Sequence, residues 1–355
     1  MVTFYPSTLD ETDHLHPRSL RARRTTSADR GAQEQRDNVR GRMVALAPGA
    51  MRLVTAARLR LAGLRRQLRD ARPDIVHGHY ISDYGFLAAT GGIRPLVTTA
   101  WGSDLLRDPR ESAITNRLVR WTIRESALVT YNADVLGTAA ASYGARSEQL
   151  LKVVLGVDSI FLDPSLAMPQ RARPPVIISH RSLDRTLFNV DLIIGAMPQV
   201  LRSVPDARLL IGHTGRLDAS LRELAQRLGV QASVDFIGRA PDARSLAGRF
   251  ANAAVYVAIP DSDGSSVTLL EAMAAGSYPV LSDIPSNREW VAPDGGTLVP
   301  SRDAGALASA LSEALSDPGR REKAAVRNRG VIQEHGTWDR NMARMDEAYR
   351  RLLGR

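Results

Sequence analysis

The hydrophobic pattern beyond residue 74 has a regular beat. Short apolar runs rich in β-branched residues alternate with longer stretches of helical period. The runs predict strands at Ile75–His79, Leu96–Trp101, Leu128–Tyr131 and Leu151–Leu155, with helix-like stretches such as Ala113–Glu125 between them. Leu162–Pro175, rich in proline and polar residues, interrupts the beat and reads as a linker. The beat then restarts, with strands at Val176–Ser179, Ala207–Ile211, Ser233–Phe236, Val255–Ile259, Pro279–Leu281 and Gly296–Val299. Helices are expected at Asp191–Leu201, Ala219–Leu228, Ala243–Phe250, Val267–Ala275, Asp303–Leu315 and Arg320–Gln333. Strands separated by helices predict mostly parallel, doubly wound sheets. The fold class is therefore α/β, with two Rossmann-like domains and a cleft between them. The expected boundaries are 1–165 and 166–336, followed by a closing amphipathic helix in 337–355 near the domain junction. In that helix Met342, Met345, Ala348, Tyr349 and Leu352 recur at helical spacing.

The first forty or so residues carry less pattern. Met1–Pro6 reads as a short strand, and Arg18–Arg42 is polar, arginine-rich and irregular. Ala50–Arg69 predicts a basic helix with Leu53, Leu61, Leu64 and Leu68 on its apolar side. Its arginines suit peripheral contact with an acidic membrane, although a solvated helix packed by its leucines on the sheet is the plainer reading.

Length and composition narrow the class. A chain of 355 residues fits two α/β domains. It has no cysteine, so disulfides and thiolate metal sites are excluded. No apolar run is long enough to span a membrane, and the first 25 residues have no signal-like apolar core, so a cytoplasmic protein is expected. Net charge is +9, carried almost wholly by arginine, with lysine only at positions 152 and 323. A GC-rich genome gives that bias without a functional cause, and no nucleic-acid-binding motif accompanies it, so no nucleic-acid partner is expected.

The chemistry concentrates in Asp263–Asp283, DGSSVTLLEAMAAGSYPVLSD. A glycine- and serine-rich loop runs into an apolar helix that carries Glu271. Gly264, Ser265, Ser266, Val267 and Thr268 would line a helix N-terminus whose backbone N–H groups suit a phosphate or diphosphate. Glu271, about two turns in, would face the same cleft and accept hydrogen bonds from paired sugar hydroxyls. Asp261-Ser262-Asp263 also spells D-x-D after an apolar strand, the pattern of transferases that hold a divalent cation against a diphosphate. Elsewhere, His77 and His79 lie two apart on one strand face, too few for a metal site.

The motif resembles the donor site of the retaining family 4 of GT-B glycosyltransferases, in which an acid, seven residues and a glutamate precede "AMAAG". Glu271–Gly276 matches it, and Asp263 stands where the family usually has glutamate. Other pieces resemble the family in order: Pro73–His79, Trp101–Asp104 (with tryptophan where histidine is common), Gly156–Asp158, Gly212–Gly215, Phe236–Gly238 and Asn287–Glu289. The resemblance implies transfer from a nucleoside diphosphate-sugar to a glycan, lipid-linked or small-molecule acceptor, with no cofactor and no metal. It makes Asp263, Arg181 and His79 the catalytic candidates. The donor-binding candidates are Gly264, Ser265, Ser266, Val267, Thr268, Glu271, Gly238, Arg239 and Gly212. The family's lysine before the following helix is absent, with Arg185 the nearest cation. Met1–Pro6 resembles the family's second strand, which predicts a start one β-α unit late and, as the other class of function, a catalytically weak homologue that acts by binding.

Overall fold

The computed structural model describes residues 2–4, 62–63, 65–68, 70–166, 169–291 and 293–355. The first sheet contains β1 (Val2–Phe4), β2 (Val76–His79), β3 (Leu96–Ala100), β4 (Leu128–Tyr131) and β5 (Leu150–Lys152). They lie in chain order and every pair is parallel. The second sheet contains β6 (Val176–Ser179), β7 (Arg208–Ile211), β8 (Val234–Phe236), β9 (Val255–Ala258), β10 (Tyr278–Ser282) and β11 (Thr297–Val299). Its order, β8-β7-β6-β9-β10-β11, is again wholly parallel. The order reverses between β6 and β9, the switch point where open α/β sheets leave a crevice at their strands' carboxyl ends. The predicted strands fall within one or two residues of these, apart from Leu151–Leu155, which ends at Lys152.

Helices cover both faces of each sheet, so β2, β9 and β10 are buried throughout, as parallel strands require. The first domain carries α1 (Ala113–Glu125) and α2 (Asp134–Ser142). The second carries α3 (Val190–Ser203), α4 (Asp218–Arg227), α5 (Ala243–Asn252), α6 (Val267–Ala274), α7 (Ala304–Ser316) and α8 (Pro318–His335). Local chemistry sets their starts. Asp242, Ser266, Asp303 and Asp317 cap α5, α6, α7 and α8, each side chain accepting a backbone N–H of the first turn. No helix among the described residues is long and apolar enough to cross a membrane. The expected basic helix over Ala50–Arg69 and the polar stretch Arg18–Arg42 lie outside the described residues, except for helical positions 62–63 and 65–68.

The segment that connects β5 to β6 packs on the second domain. Val154, Val157 and Phe161 belong to the second domain's core with Phe250 and Tyr256. Beyond them, Gln170 donates to the Gly276 carbonyl at 2.7 Å, and Arg173 donates to the Ala253 and Ala275 carbonyls at 2.8 and 3.0 Å. Residues 169–175 are thereby tied to the second domain.

The last helix, α9 (Trp338–Leu352), starts at the junction, where Val157 and Thr337 form a parallel bridge. It then returns to the first domain. Ala348, Tyr349, Leu352 and Leu353 cover Ile75, Val97 and Leu128 on one face of the first sheet. The Tyr349 hydroxyl is 2.6 Å from His77 Nδ1, and His77 Nε2 is 2.6 Å from Thr99 Oγ1. The first domain's core is thus closed by the end of the chain. Tyr349→Phe should lower the first domain's stability by about 1 kcal/mol, because the buried His77 loses a partner. Urea unfolding followed by tryptophan fluorescence reads this as a lower midpoint. An unchanged midpoint would mean that apolar packing alone seats the helix.

Candidate active site

The residues that follow β2, β3, β4, β6 and β9 converge at the carboxyl ends of the two sheets. They border a cleft of about 690 Å³ lined from one side by Tyr80, Trp101 and Ser103, and from the other by Arg181, Arg185, Arg216 and Asp263. Arg181, two residues past β6, is 9% exposed. Its two terminal nitrogens donate to Ser266 Oγ at 2.6 Å and Asp263 Oδ2 at 2.7 Å, and its guanidinium carbon lies 4.1 Å from the centre of the Phe188 ring. The expected diphosphate fork therefore forms a charge-assisted pair with the motif's own acid. The other half of the D-x-D is occupied too. Asp261 accepts from Arg302 at 2.7 and 3.1 Å and from Asn189 at 2.9 Å. The arginine pair and the amide hold its pKa below the usual carboxylate range.

The donor loop is not the open cradle its sequence suggests. Gly264 N–H donates to Asp263 Oδ1 at 2.9 Å, and Ser265 N–H donates to Asn132 Oδ1 at 3.2 Å. Asn132, the residue after β4, also accepts the Ser265 hydroxyl at its carbonyl, 2.5 Å away. Trp290 Nε1 donates to the same hydroxyl oxygen at 2.8 Å. Thr268 turns away, its hydroxyl 3.0 Å from those of Tyr256 and Ser266. The contact is close because both facing residues are glycine. A Cβ on Gly264 would lie 2.3 Å from Asn132 Oδ1, and one on Gly102 would lie 3.1 Å from Gly264 N. A second link lies alongside. Glu289 accepts the Asp134 N–H at the start of α2 at 2.7 Å and the Lys152 ammonium at 2.8 Å.

On the first-domain side, sequence reasoning passed over the organiser. Asp104 is fully buried and accepts three backbone N–H groups, from Trp101 at 3.0 Å, Gly102 at 2.8 Å and Ile81 at 2.8 Å. It ties the loops after β2 and β3 together, and burial pushes its pKa up to about 6 despite those bonds. The signal was the aspartate closing Trp101-Gly102-Ser103-Asp104. His79 is corrected as a cleft residue. It is buried, stacked on His77 with ring centres 4.2 Å apart, and it accepts Trp101 Nε1–H at 3.3 Å on Nδ1. Burial lowers its pKa to about 3, so it is neutral. Trp101, not His79, meets the cleft.

The remaining candidates lie farther along the second sheet, away from the walls of this cleft. Gly212 packs under His180, whose ring a Cβ would meet at 2.5 Å. Arg239 donates from Nε to His213 Nε2 at 3.2 Å, while His213 Nδ1 meets the Thr214 carbonyl at 2.8 Å. Gly238, at φ 61°, turns the chain after β8, and its carbonyl accepts from Arg249 at 2.7 Å. Glu271 is on α6, only 4% exposed, rather than on the cleft wall. Burial pushes its pKa up to about 8, with nearby Asp158 adding to the rise.

Two family models match the chain, Glycosyl transferases group 1 over residues 168–330 and Glycosyl transferase 4-like over residues 27–133, more than half of it between them. The chain belongs to family 4 of the GT-B glycosyltransferases. It is 32% identical to a GDP-mannose-dependent monoacylated alpha-(1-6)-phosphatidylinositol monomannoside mannosyltransferase of Corynebacterium glutamicum, over 42% of this chain and 40% of that one. It is 30% identical to a phosphatidyl-myo-inositol mannosyltransferase of Mycolicibacterium smegmatis, over 57% of this chain and 54% of that one. The matched stretch thus spans about half the length of these relatives or less. Among solved structures, Anabaena HepE in complex with UDP-glucose superposes with a TM-score of 0.70 at 19% identity, over 81% of each chain. A sucrose-phosphate synthase from Thermosynechococcus elongatus gives 0.69 at 19% identity, over 83% of this chain and 77% of that one.

In this family 4 chain the two domains meet through the Gly264–Ser265 loop. Gly264→Ala should force Asn132 and the loop apart, with overpacking of about 1–3 kcal/mol to relieve. Small-angle scattering should then show a larger radius of gyration than the parent's. An unchanged radius would mean that the loop yields locally and the domains stay together.

Proposed function

We propose that this protein transfers a sugar from a nucleoside diphosphate-sugar to a hydroxyl of a glycan or glycolipid, with retention of anomeric configuration and without a metal ion. One observation carries the reading: Arg181, at the switch point of the second sheet, is held between Asp263 and Ser266 at the edge of a large cleft. A donor diphosphate entering there competes with Asp263 for the guanidinium. Asp263 is then released to accept hydroxyls of the donor sugar, while Arg181 stabilises the charge that grows on the leaving diphosphate. Arg185 and Arg216, exposed on the same wall, supply further positive charge where the family has a lysine. The names of the relatives, GDP-mannose-dependent and phosphatidylinositol mannosyltransferases, support this donor and acceptor class. The arginine pairs on Asp261 and Asp263 support the metal-free form, since a cation bridging the two carboxylates would have to displace both arginines.

Glu271 is the proposed ribose anchor, and its buried carboxyl gives the reading a pH signature. Accepting two hydroxyls requires the ionised form, whereas the free protein holds the acid form up to about pH 8. Donor binding therefore releases a proton. Affinity for GDP or UDP, measured by calorimetry, should rise with pH by up to about tenfold per unit and level off above about pH 8. Glu271→Gln should bind about ten- to a hundredfold more weakly and lose the slope. The same group makes the free protein less stable as pH rises from about 4.5 to about 8, because only the unfolded chain ionises in that window. Glu271→Gln removes that loss, so the variant should gain stability at pH 8 relative to the parent. A parent affinity that is flat with pH and unaltered by Glu271→Gln sinks the anchor role.

The metal-free form is tested separately. Turnover of the donor should survive a chelator, and added manganese should change it by less than about twofold. Loss in chelator with recovery in manganese would favour the D-x-D reading instead.

A further inference from the structure

Beside the contact between the domains lies a second cavity, of about 270 Å³, that shares no lining residue with the cleft. Separate parts of the chain build it. β5 and the residues after it supply Lys152 and Val154, and the segment after β10 supplies Glu289 and Trp290. The end of α8 adds Val331 and His335, and the first turns of α9 add Arg340, Asn341 and Arg344.

The floor is apolar and held in place. Val154 and Trp290 are both buried. Asn341, also buried, is taken up in structure: it accepts the Val154 N–H at 3.2 Å and donates to the His335 and Thr337 carbonyls at 2.9 Å. The rim is cationic. Glu289 is the one carboxylate among the described lining residues, and it is matched by the Lys152 ammonium at 2.8 Å and the Asp134 N–H at 2.7 Å. Arg340 and Arg344 are exposed and lie four apart on one face of α9. Like charges at that spacing repel. Farther along the helix, Arg350 and Arg351 are paired with Asp346 and Glu347, each four residues back. The positions four back from Arg340 and Arg344 are Gly336 and Arg340, so this helix offers them no such partner. An anion seated between them would relieve the repulsion.

From this we infer that the cavity is a binding site for a small phosphate monoester, separate from the cleft. A phosphate group carries two negative charges and three terminal oxygens, which suits two guanidinium groups and the His335 imidazole better than a single carboxylate does. The carbon body of the ester covers Val154, Val331 and the Trp290 ring. The volume is less than half that of the cleft, which favours a small metabolite over a nucleotide-sugar. Trp290 links the site to the rest of the molecule. Its indole N–H holds the Ser265 hydroxyl, and that hydroxyl bonds Asn132 of the first domain. An occupant therefore bears on the contact between the domains without entering the cleft.

Indole N–H NMR reads the site directly, because Trp290 lines the cavity and Trp101 lines the cleft. The full chain carries isotope-labelled tryptophan, and Trp290→Phe and Trp101→Phe assign the two signals. Glycerol 3-phosphate should shift the Trp290 signal and leave Trp101 in place. Inorganic phosphate should do the same more weakly, whereas glycerol, and chloride at matched ionic strength, should do neither. Replacing both Arg340→Gln and Arg344→Gln should weaken glycerol 3-phosphate at Trp290 by about tenfold or more. Arg181→Gln, in the cleft, should leave that affinity unaltered. Co-sedimentation with phosphatidate vesicles reads the source of the phosphate. Sedimentation that the arginine variant loses assigns a lipid headgroup, and its absence assigns a free ester; either supports the site. A shift at Trp101 alone, no shift at either ring, an equal shift with chloride, or a Trp290 shift indifferent to the arginine variant would each overturn it. The test uses no nucleotide, so its outcome is independent of the transferase reading.

Discussion

The hydroxyl of Ser265 is the point on which the two domains depend. It donates to the carbonyl of Asn132 in the first domain, accepts from Trp290 in the second, and belongs to the loop that starts α6. Two groups from distant parts of the chain meet on this one oxygen, with Gly264 beside it because no side chain fits there. This contact sets the distance between the strand ends of the two sheets, and so the width of the cleft. Arg181 and Asp263 on one wall and Trp101 on the other have a fixed separation only while it holds. Lys152 and Glu289 reinforce it from outside, but both are partly solvated, and exposed pairs of that kind contribute at most about 1 kcal/mol. The buried hydroxyl and amide are the stronger constraint, since parting them strands polar groups that are shut off from water.

Electrostatics divides the site's carboxylates into two kinds. Asp261 and Asp263 are each matched to an arginine, and Asp261's pKa is held below the usual carboxylate range. Asp104 and Glu271 are buried without a cation, and both have raised pKa values. Asp104 is compensated by three backbone N–H groups and serves to shape loops. Glu271 is held instead against Asp158 and an apolar core, an arrangement that costs stability in the free protein. A buried acid of that sort is unfavourable in the free protein, which fits the proposed role of Glu271 as an anchor for hydroxyl groups. Arg181 is the converse. Its partner Asp263 neutralises it, so the site avoids an unmatched buried cation.

The architecture was legible because parallel strands buried on both faces announce themselves as short apolar runs, and caps such as Asp242, Ser266 and Asp303 mark the helices. Arg181 and Asp263 could each be singled out by position in the sequence, but that they pair with one another, and that Glu271 is buried on α6, could not. Which partner a charged group takes depends on contacts between residues far apart in sequence, such as Arg302 with Asp261 or Asn132 with Ser265, and no local pattern encodes these. His79 shows the same limit. Alternation places it on a face of β2, but whether that face meets solvent depends on Trp101, more than twenty residues later. The packing of the segment that connects the two sheets was hidden for a related reason. Its prolines and polar residues read as a linker, yet Gln170 and Arg173 use their polar atoms to bond carbonyls at the ends of α5 and α6.

The C-terminal helix couples these features. It leaves the second domain at Thr337, whose neighbours Gly336 and Trp338 bond the Val157 backbone, and ends by covering the first sheet and engaging His77. His77 stacks on His79, and His79 accepts from Trp101, so the helix supports the rear of the same wall that faces the cleft. Any rotation of one domain against the other must therefore bend the short connection around Gly156–Val157 and Gly336–Thr337, because α9 moves as part of the first domain. Gly156 is at φ 80°, and its Cβ position is filled by the Thr337 backbone at 2.6 Å. The two crossings of the chain are packed against each other there with no intervening side chain.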